Sequence, residues 1–341
     1  MTPFIYAALP TRVIFGRGKI SEAAAEAKRL GMKHPLVITT AQQSNSGKQL
    51  WATTGGVIFA GAAMHTPVTI TEQAMAIVKA QGCDGTIALG GGSSTGLGKA
   101  IALRTDLPQL VIPTSYAGSE MTNILGETQD GAKTTRRDTK VQPESVIYDP
   151  NLLATLPPNF AATSGMNAIA HAVEGLYAVD GNPIVSLMAE EGIRALATAL
   201  PKNDYEEALY GAWLCGTVLG SASMALHHKL CHVLGGSFDL PHAETHTVIL
   251  PHATAYNSNS AEAMARIARA LNVPSAAQGL YDLAKSLGAK MALKDFGMKE
   301  QDLDKAAEIA AANPYPNPRA IERGAIRELL DNAFHGRRPN H

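Results

Sequence analysis

Hydrophobic and polar positions change rhythm near the middle of the chain. In the first half, short apolar runs rich in β-branched residues lie at Val13–Phe15, Leu36–Thr39, Val57–Phe59, Thr86–Leu89, Leu110–Ile112 and Val146–Tyr148. They alternate with Ala-, Lys- and Glu-rich stretches of helical period such as Ser21–Leu30, Glu72–Ala80 and Ser94–Leu103. Strand–helix alternation predicts βαβ units and a largely parallel, twisted sheet. After Asp149-Pro150 the pattern becomes helical, with candidate helices at Phe160–Tyr177, Ile184–Leu200, Tyr205–Leu226, Ala261–Ala270, Ala276–Leu287, Glu300–Ala311 and Ala320–Asp331. The expected organisation is an α/β N-terminal domain over residues 1–154 and an all-α C-terminal domain over residues 155–341.

Ala208–Leu226 carries no charge, yet Gly211, Gly216, Gly220 and several hydroxyl residues keep it only modestly apolar. A helix buried in a helical domain is expected there, not a membrane span. The N-terminus lacks the basic region of a signal peptide. With 29 basic against 30 acidic side chains, the chain has no electrostatic pull toward nucleic acid or an anionic membrane. Three cysteines, an odd number, argue against a disulfide framework and fit a reducing cytoplasm.

Two features carry chemistry. The run Ile87-Ala88-Leu89 enters Gly90-Gly91-Gly92-Ser93-Ser94 and then a helical stretch, which brings bare backbone N–H groups and a helix dipole to one point. That is a seat for a phosphate or pyrophosphate. It is neither a Walker loop nor the spaced glycine fingerprint of the usual dinucleotide fold. The next strand ends in Thr114-Ser115, so both turns are expected to serve one ligand along the carboxyl edge of the sheet.

The second feature is histidine. Of eleven, six (His227, His228, His232, His242, His246, His252) fall between residues 227 and 252. Asn167 and His171 are four apart on a predicted helix, and His228 and His232 repeat that spacing; His242 follows a loop, Gly235 to Pro241. Two such pairs and a loop histidine are how a helical domain gathers nitrogen and oxygen ligands around a metal. His246 and His252 are read as packing or capping residues, and His227 as structural.

Phe15-Gly16-Arg17-Gly18, the Gly90–Ser93 turn, Ile112-Pro113-Thr114, Asp149-Pro150, His228-x3-His232-x-Leu-Gly and Pro241-His242 resemble the iron-containing (group III) alcohol dehydrogenase superfamily. GGGSSTGLGKAIAL, IPTSYAGSEMTNILGETQDGAKTTRRD and SGMNAIAHAVEGLYA are similar to its maleylacetate reductase branch. The resemblance implies a Rossmann-like, dinucleotide-binding sheet domain joined to a helical domain, the plan shared with dehydroquinate synthase. It also implies a homodimer that reduces the dicarboxylate maleylacetate to 3-oxoadipate with NADH or NADPH, in aromatic-compound degradation. Cofactor contacts carried over are Gly90, Gly91, Gly92, Ser93, Ser94, Thr114, Ser115, Thr40 and Lys133; His232, His228, His242, His171 and Asn167 line the catalytic pocket.

Three departures sharpen this expectation. Asn167 stands where the metal-binding members carry Asp, so the ligand set His171, His228 and His242 lacks its carboxylate, and no obligatory metal is expected. Gly96 replaces an Asp of the glycine-rich turn, while Lys99 still matches. Thr40 replaces the Asp that NAD-specific members place against the ribose, so a 2′-phosphate meets no repulsion. His232 is the expected proton donor, and Arg136 and Arg137 are read as a solvated turn rather than a carboxylate clamp. Rival readings are a metal-dependent group III alcohol dehydrogenase acting on a small alcohol or aldehyde, a dehydroquinate-synthase-like lyase, and a histidine-rich metal carrier.

Overall fold

The computed structural model describes residues 3–313 and 315–340, apart from the side chains of Ala132 and Lys133. The chain forms two compact units, Ala8–Leu156 and a second that starts at Pro157 and includes the N-terminal segment up to Ala7.

In the first unit, β1 (Arg12–Phe15), α1 (Ala23–Arg29), β2 (Leu36–Ile38), α2 (Ser44–Thr54), β3 (Val57–Phe59), α3 (Val68–Gln81), β4 (Thr86–Gly90), α4 (Gly92–Thr105) and β5 (Gln109–Pro113) follow in turn. β6 (Ile124–Gln129), β7 (Ala132–Arg137) and β8 (Ser145–Tyr148) complete it. Six strands make one sheet in the order β1-β8-β5-β4-β2-β3, every pair parallel. Leu36, Val37, Ile38, Ile87, Leu89, Leu110, Ile112 and Ile147 are fully buried, as expected for strands covered on both faces. The predicted strands match the observed ones to within one residue at either end. The β6–β7 hairpin was not anticipated: Asp130 (φ 51°) and Gly131 (φ 76°) form its tight turn, a conformation that selects Asp-Gly. Arg136 and Arg137 thus lie on a strand opposite Leu125 and Ile124, not in a turn.

Asp149 explains two fragments of the resemblance at once. Its carboxylate accepts from the N–H groups of Gly18, Ile20 and Asn151, each at 3.0 Å, and so ties the turn after β1 to the end of β8.

The second unit is helical: α5 (Pro158–Leu176), α6 (Pro183–Ala199), α7 (Tyr205–Ser221), α8 (Leu226–Phe238), α9 (His242–Tyr256), α10 (Ala261–Leu271), α11 (Ala276–Ser286), α12 (Leu303–Ala311) and α13 (Arg323–His335). The predicted helix Tyr205–Leu226 ends early, at Ser221, where Ala222 turns extended and Asp180 accepts from the N–H and hydroxyl of Ser223. The predicted loop at 235–241 is helix up to Phe238, and His242 opens α9 rather than sitting in a loop. Asn182 caps α6 by accepting from the N–H groups of Ile184 and Val185. Gly192 and Gly211 let α6 and α7 cross closely: a Cβ at 211 would stand 3.0 Å from the Gly192 carbonyl oxygen and 2.9 Å from Leu196. Among the described residues no single helix is long and apolar enough to cross a membrane; α7 and α8 are so only as a pair, and they meet at a 93° bend.

Candidate active site

The glycine-rich turn occupies the carboxyl edge of the sheet. β4 lies between β2 and β5, so Thr40 (two residues beyond β2), Gly90–Ser94, and Thr114-Ser115 follow three neighbouring strands. Gly90 has φ 149°, and a Cβ there would stand 2.4 Å from Ser94 Oγ; one on Gly91 would stand 2.8 Å from Ser115 Oγ. Thr114 is drawn in from both sides: its N–H donates to the Gly90 carbonyl, and its hydroxyl accepts from the Gln43 amide at 2.7 Å. The first-turn N–H groups of α4, at Gly92 and Ser93, have no intrahelical carbonyl one turn back and no side-chain cap from Gly91, which suits an anion. Ser94 Oγ is buried with no protein partner. These residues suit a pyrophosphate. Gly96 has its own reason: a Cβ would fall 2.3 Å from Thr66 Oγ1. Lys133 lies on β7, its side chain outside the described set.

Lys99 does not reach toward a ligand. Fully buried, it donates to the carbonyls of Ser119 (2.6 Å), Thr122 (2.6 Å) and Ile124 (3.0 Å), and so pins the segment after β5. Burial pushes its pKa down to about 7. Neighbouring Glu120 is pushed up by burial and accepts from Tyr148 at 2.8 Å.

In the helical unit the histidines are one contiguous cluster. Ring centroids lie 5.2 Å apart for His171 and His228, 6.3 Å for His228 and His232, 5.1 Å for His228 and His246, 4.4 Å for His242 and His246, and 4.8 Å for His227 and His246. All four expected histidines therefore come together, with Asn167 one turn before His171 on α5. The cluster also takes in two residues assigned to mere packing. His246 and His227 are fully buried and bonded to each other, Nδ1 to Nε2, at 2.8 Å. The i,i+4 signal of His242 and His246 was present but unused, because His242 was placed in a loop. His252 stands apart from the ring contacts, as expected of a packing residue.

Burial is the main reason why His171, His227 and His246 sit well below the usual histidine pKa, and the neighbouring imidazoles add to it. His232 is the exposed ring of the group.

Sequence reasoning missed Glu174. This carboxylate, fully buried on α5, lies 2.6 Å from His228 Nδ1 and accepts from the N–H groups of Ala225 (2.9 Å), His227 (2.7 Å) and His228 (3.3 Å). It thereby caps α8, whose own Ala225 offers no side-chain cap. Its position, seven residues after Asn167 and three after His171, marked it as sharing their helix face.

Asn167 Oδ1, His171 Nδ1 and His228 Nε2 are buried without a protein partner among the described residues. An amide oxygen and two imidazole nitrogens suit a borderline divalent ion, which Asn167, His171 and His228 would hold. His242 does not join His171 and His228 at ligand range; among the described residues the buried ligand atoms that converge within 4.8 Å are those of His227, Cys231 and His246. Glu174 directs no oxygen at such an ion, because it spends both on His228 and the α8 backbone.

The chain belongs to the iron-containing alcohol dehydrogenase family, whose N-terminal part matches residues 10–150 and whose C-terminal part matches residues 161–334. It is an oxidoreductase of that family. It is 54% identical to the maleylacetate reductase of Sphingobium indicum, over 98% of this chain and 99% of that protein. The crystal structure of maleylacetate reductase from Agrobacterium tumefaciens superposes with a TM-score of 0.96 at 52% identity, covering 99% of this chain and all of the other. An iron-containing alcohol dehydrogenase from Corynebacterium glutamicum is more distant, 37% identical with a TM-score of 0.94, over 100% of this chain and 98% of the other.

Proposed function

We propose that the chain is a maleylacetate reductase that saturates the carbon–carbon double bond of maleylacetate to give 3-oxoadipate, with NADH or NADPH as hydride donor. The observation that carries this reading is a buried site in which Asn167 stands beside His171 and His228 while Glu174 spends both oxygens on His228 and the α8 backbone, so that this carboxylate does not oppose an anionic substrate. Full-length similarity to proteins named for this reaction supports it.

Maleylacetate is an enone flanked by two carboxylates. Hydride adds to the alkene carbon β to the ketone, the π electrons move to the ketone oxygen as an enolate, and a proton then reaches the carbon between them. One hydride and one proton are consumed, and the nicotinamide leaves oxidised. The dihydronicotinamide supplies the hydride; Gly90–Ser94 and Thr114-Ser115 would hold its pyrophosphate and Thr40 would border the adenosine ribose. The enolate oxygen calls for N–H donors, which the Asn167 amide and the ring nitrogens of His171 and His242 supply. His232 is assigned the proton because, as the exposed ring, it exchanges with water. We read the enzyme as cytoplasmic, homodimeric and able to work without metal, its partners limited to small molecules.

A second reading, a metal-dependent alcohol dehydrogenase acting on a small alcohol or aldehyde, draws support from the same nitrogen donors. A bound divalent ion would polarise a carbonyl oxygen. The deciding experiment follows reduced-nicotinamide absorbance with maleylacetate after exhaustive dialysis against chelator, with elemental analysis of the same sample. Retained turnover without stoichiometric metal is expected. Turnover lost on dialysis and restored by iron or zinc overturns the metal-free reading, and oxidation of simple alcohols in place of maleylacetate reduction favours the rival.

A further inference from the structure

Glu174 is a buried carboxylate that makes no ion pair with Lys or Arg among the described residues. Its charge is met instead by the positive end of α8 and by His228. The four N–H groups that open α8 are all accounted for: Leu226 donates to Asn317 at 3.3 Å, and Ala225, His227 and His228 donate to Glu174. Within this fixed frame the Glu174–His228 contact admits one polarity. An ionised carboxylate only accepts, so Nδ1 must carry the proton. The other ring nitrogen, Nε2, is the buried atom left without a protein partner beside Asn167 and His171.

We propose that Glu174 is a positioning residue for the reduction: it holds His228 through Nδ1, in the Nδ1–H tautomer, and presents Nε2 to the reaction pocket. In this form His228 is an acceptor. It can take a proton or coordinate a cation through Nε2, but it cannot donate a hydrogen bond to the enolate oxygen. That task falls to the Asn167 amide and the neighbouring rings. Outer partners of this kind set the tautomer and orientation of a functional imidazole. The role in catalysis rests on the reductase reading above, whereas the tautomer itself does not.

The test separates the two. In 15N-histidine-labelled protein as purified, with the His228 signals identified by their loss in His228→Gln, the neutral ring is expected to show a protonated Nδ1 and a bare Nε2. Glu174→Gln retains an amide oxygen that can accept from Nδ1, so it should keep this tautomer and most of the activity. Glu174→Ala should release the ring toward Nε2–H and lower kcat by about tenfold to a hundredfold, the range seen when such partners are lost, with KM for the nicotinamide unchanged. If Glu174→Ala does not fold, the labelled wild type and Glu174→Gln still decide the matter. A wild-type His228 protonated on Nε2 overturns the proposal, as does a folded Glu174→Ala that keeps the Nδ1–H form at full kcat. If His228→Gln leaves kcat intact while the tautomer is as stated, the placement of the reaction at His228 fails and the lock stands.

Discussion

At the scale of single residues, cofactor choice turns on position 40. Thr40 follows β2 by two residues, at the edge that also bears Gly90 and Thr114. A carboxylate here would accept from the ribose hydroxyls of NADH and repel a 2′-phosphate; threonine does neither. Thr40→Asp is therefore expected to lower kcat/KM for NADPH by about tenfold or more, the equivalent of roughly 1.4 kcal/mol of repulsion, while NADH is little affected. Steady-state kinetics with each cofactor checks it, and an unchanged ratio would remove Thr40 from the nucleotide site. The same logic of a missing carboxylate applies at Asn167, whose amide leaves Glu174 as the buried acid beside the cluster, already committed to His228 and to α8.

At the scale of elements, glycine and tertiary capping decide what local pattern could not. Gly211 of α7 matters for packing. Gly211→Val places its Cβ within 3.0 Å of the Gly192 carbonyl and 2.9 Å of Leu196, so α6 and α7 must separate. A loss of about 1–3 kcal/mol is expected from such overpacking, read as a lower urea midpoint with kcat unchanged at low temperature. The parallel strands were legible because their β-branched runs are buried on both faces and punctuated by glycine and proline. α8 was legible only through the His228–His232 pair and α9 not at all, since the run Gly235 to Pro241 reads as a loop. α8 holds because Glu174 and Asn317, distant in sequence, satisfy its first N–H groups. Losing that helix boundary is what hid the pairing of His242 with His246, and with it half of the cluster's interior. The pairs Asn167–His171 and His228–His232, in contrast, were visible from i,i+4 spacing alone.

At the scale of the whole molecule, the buried imidazoles couple stability to pH. His171, His227 and His246 are held well below the usual histidine range, first by burial, and burial brings His252 to about 4. Unfolding returns each ring to water, where it titrates near about 6.5. Above that pH both states leave the rings neutral and stability is flat. Below it the unfolded chain binds protons that the folded chain refuses, so stability falls as pH falls, by up to about 1.4 kcal/mol per pH unit for each ring. For His252 the window closes near its folded value of about 4. Ion-paired carboxylates such as Glu190 and Asp331, held low first by their arginine partners, lose their contribution only in a more acid range. The window from about pH 6.5 down to about pH 5 thus belongs to histidine. Urea unfolding should show a constant midpoint from neutral to mildly alkaline pH and a steep decline across that window. His252→Phe isolates one ring away from the cluster: if it remains folded, it should flatten the decline by close to one proton. A midpoint that stays level through the window would mean that these rings bind protons as readily in the folded chain as in the unfolded one, and burial would not govern their titration.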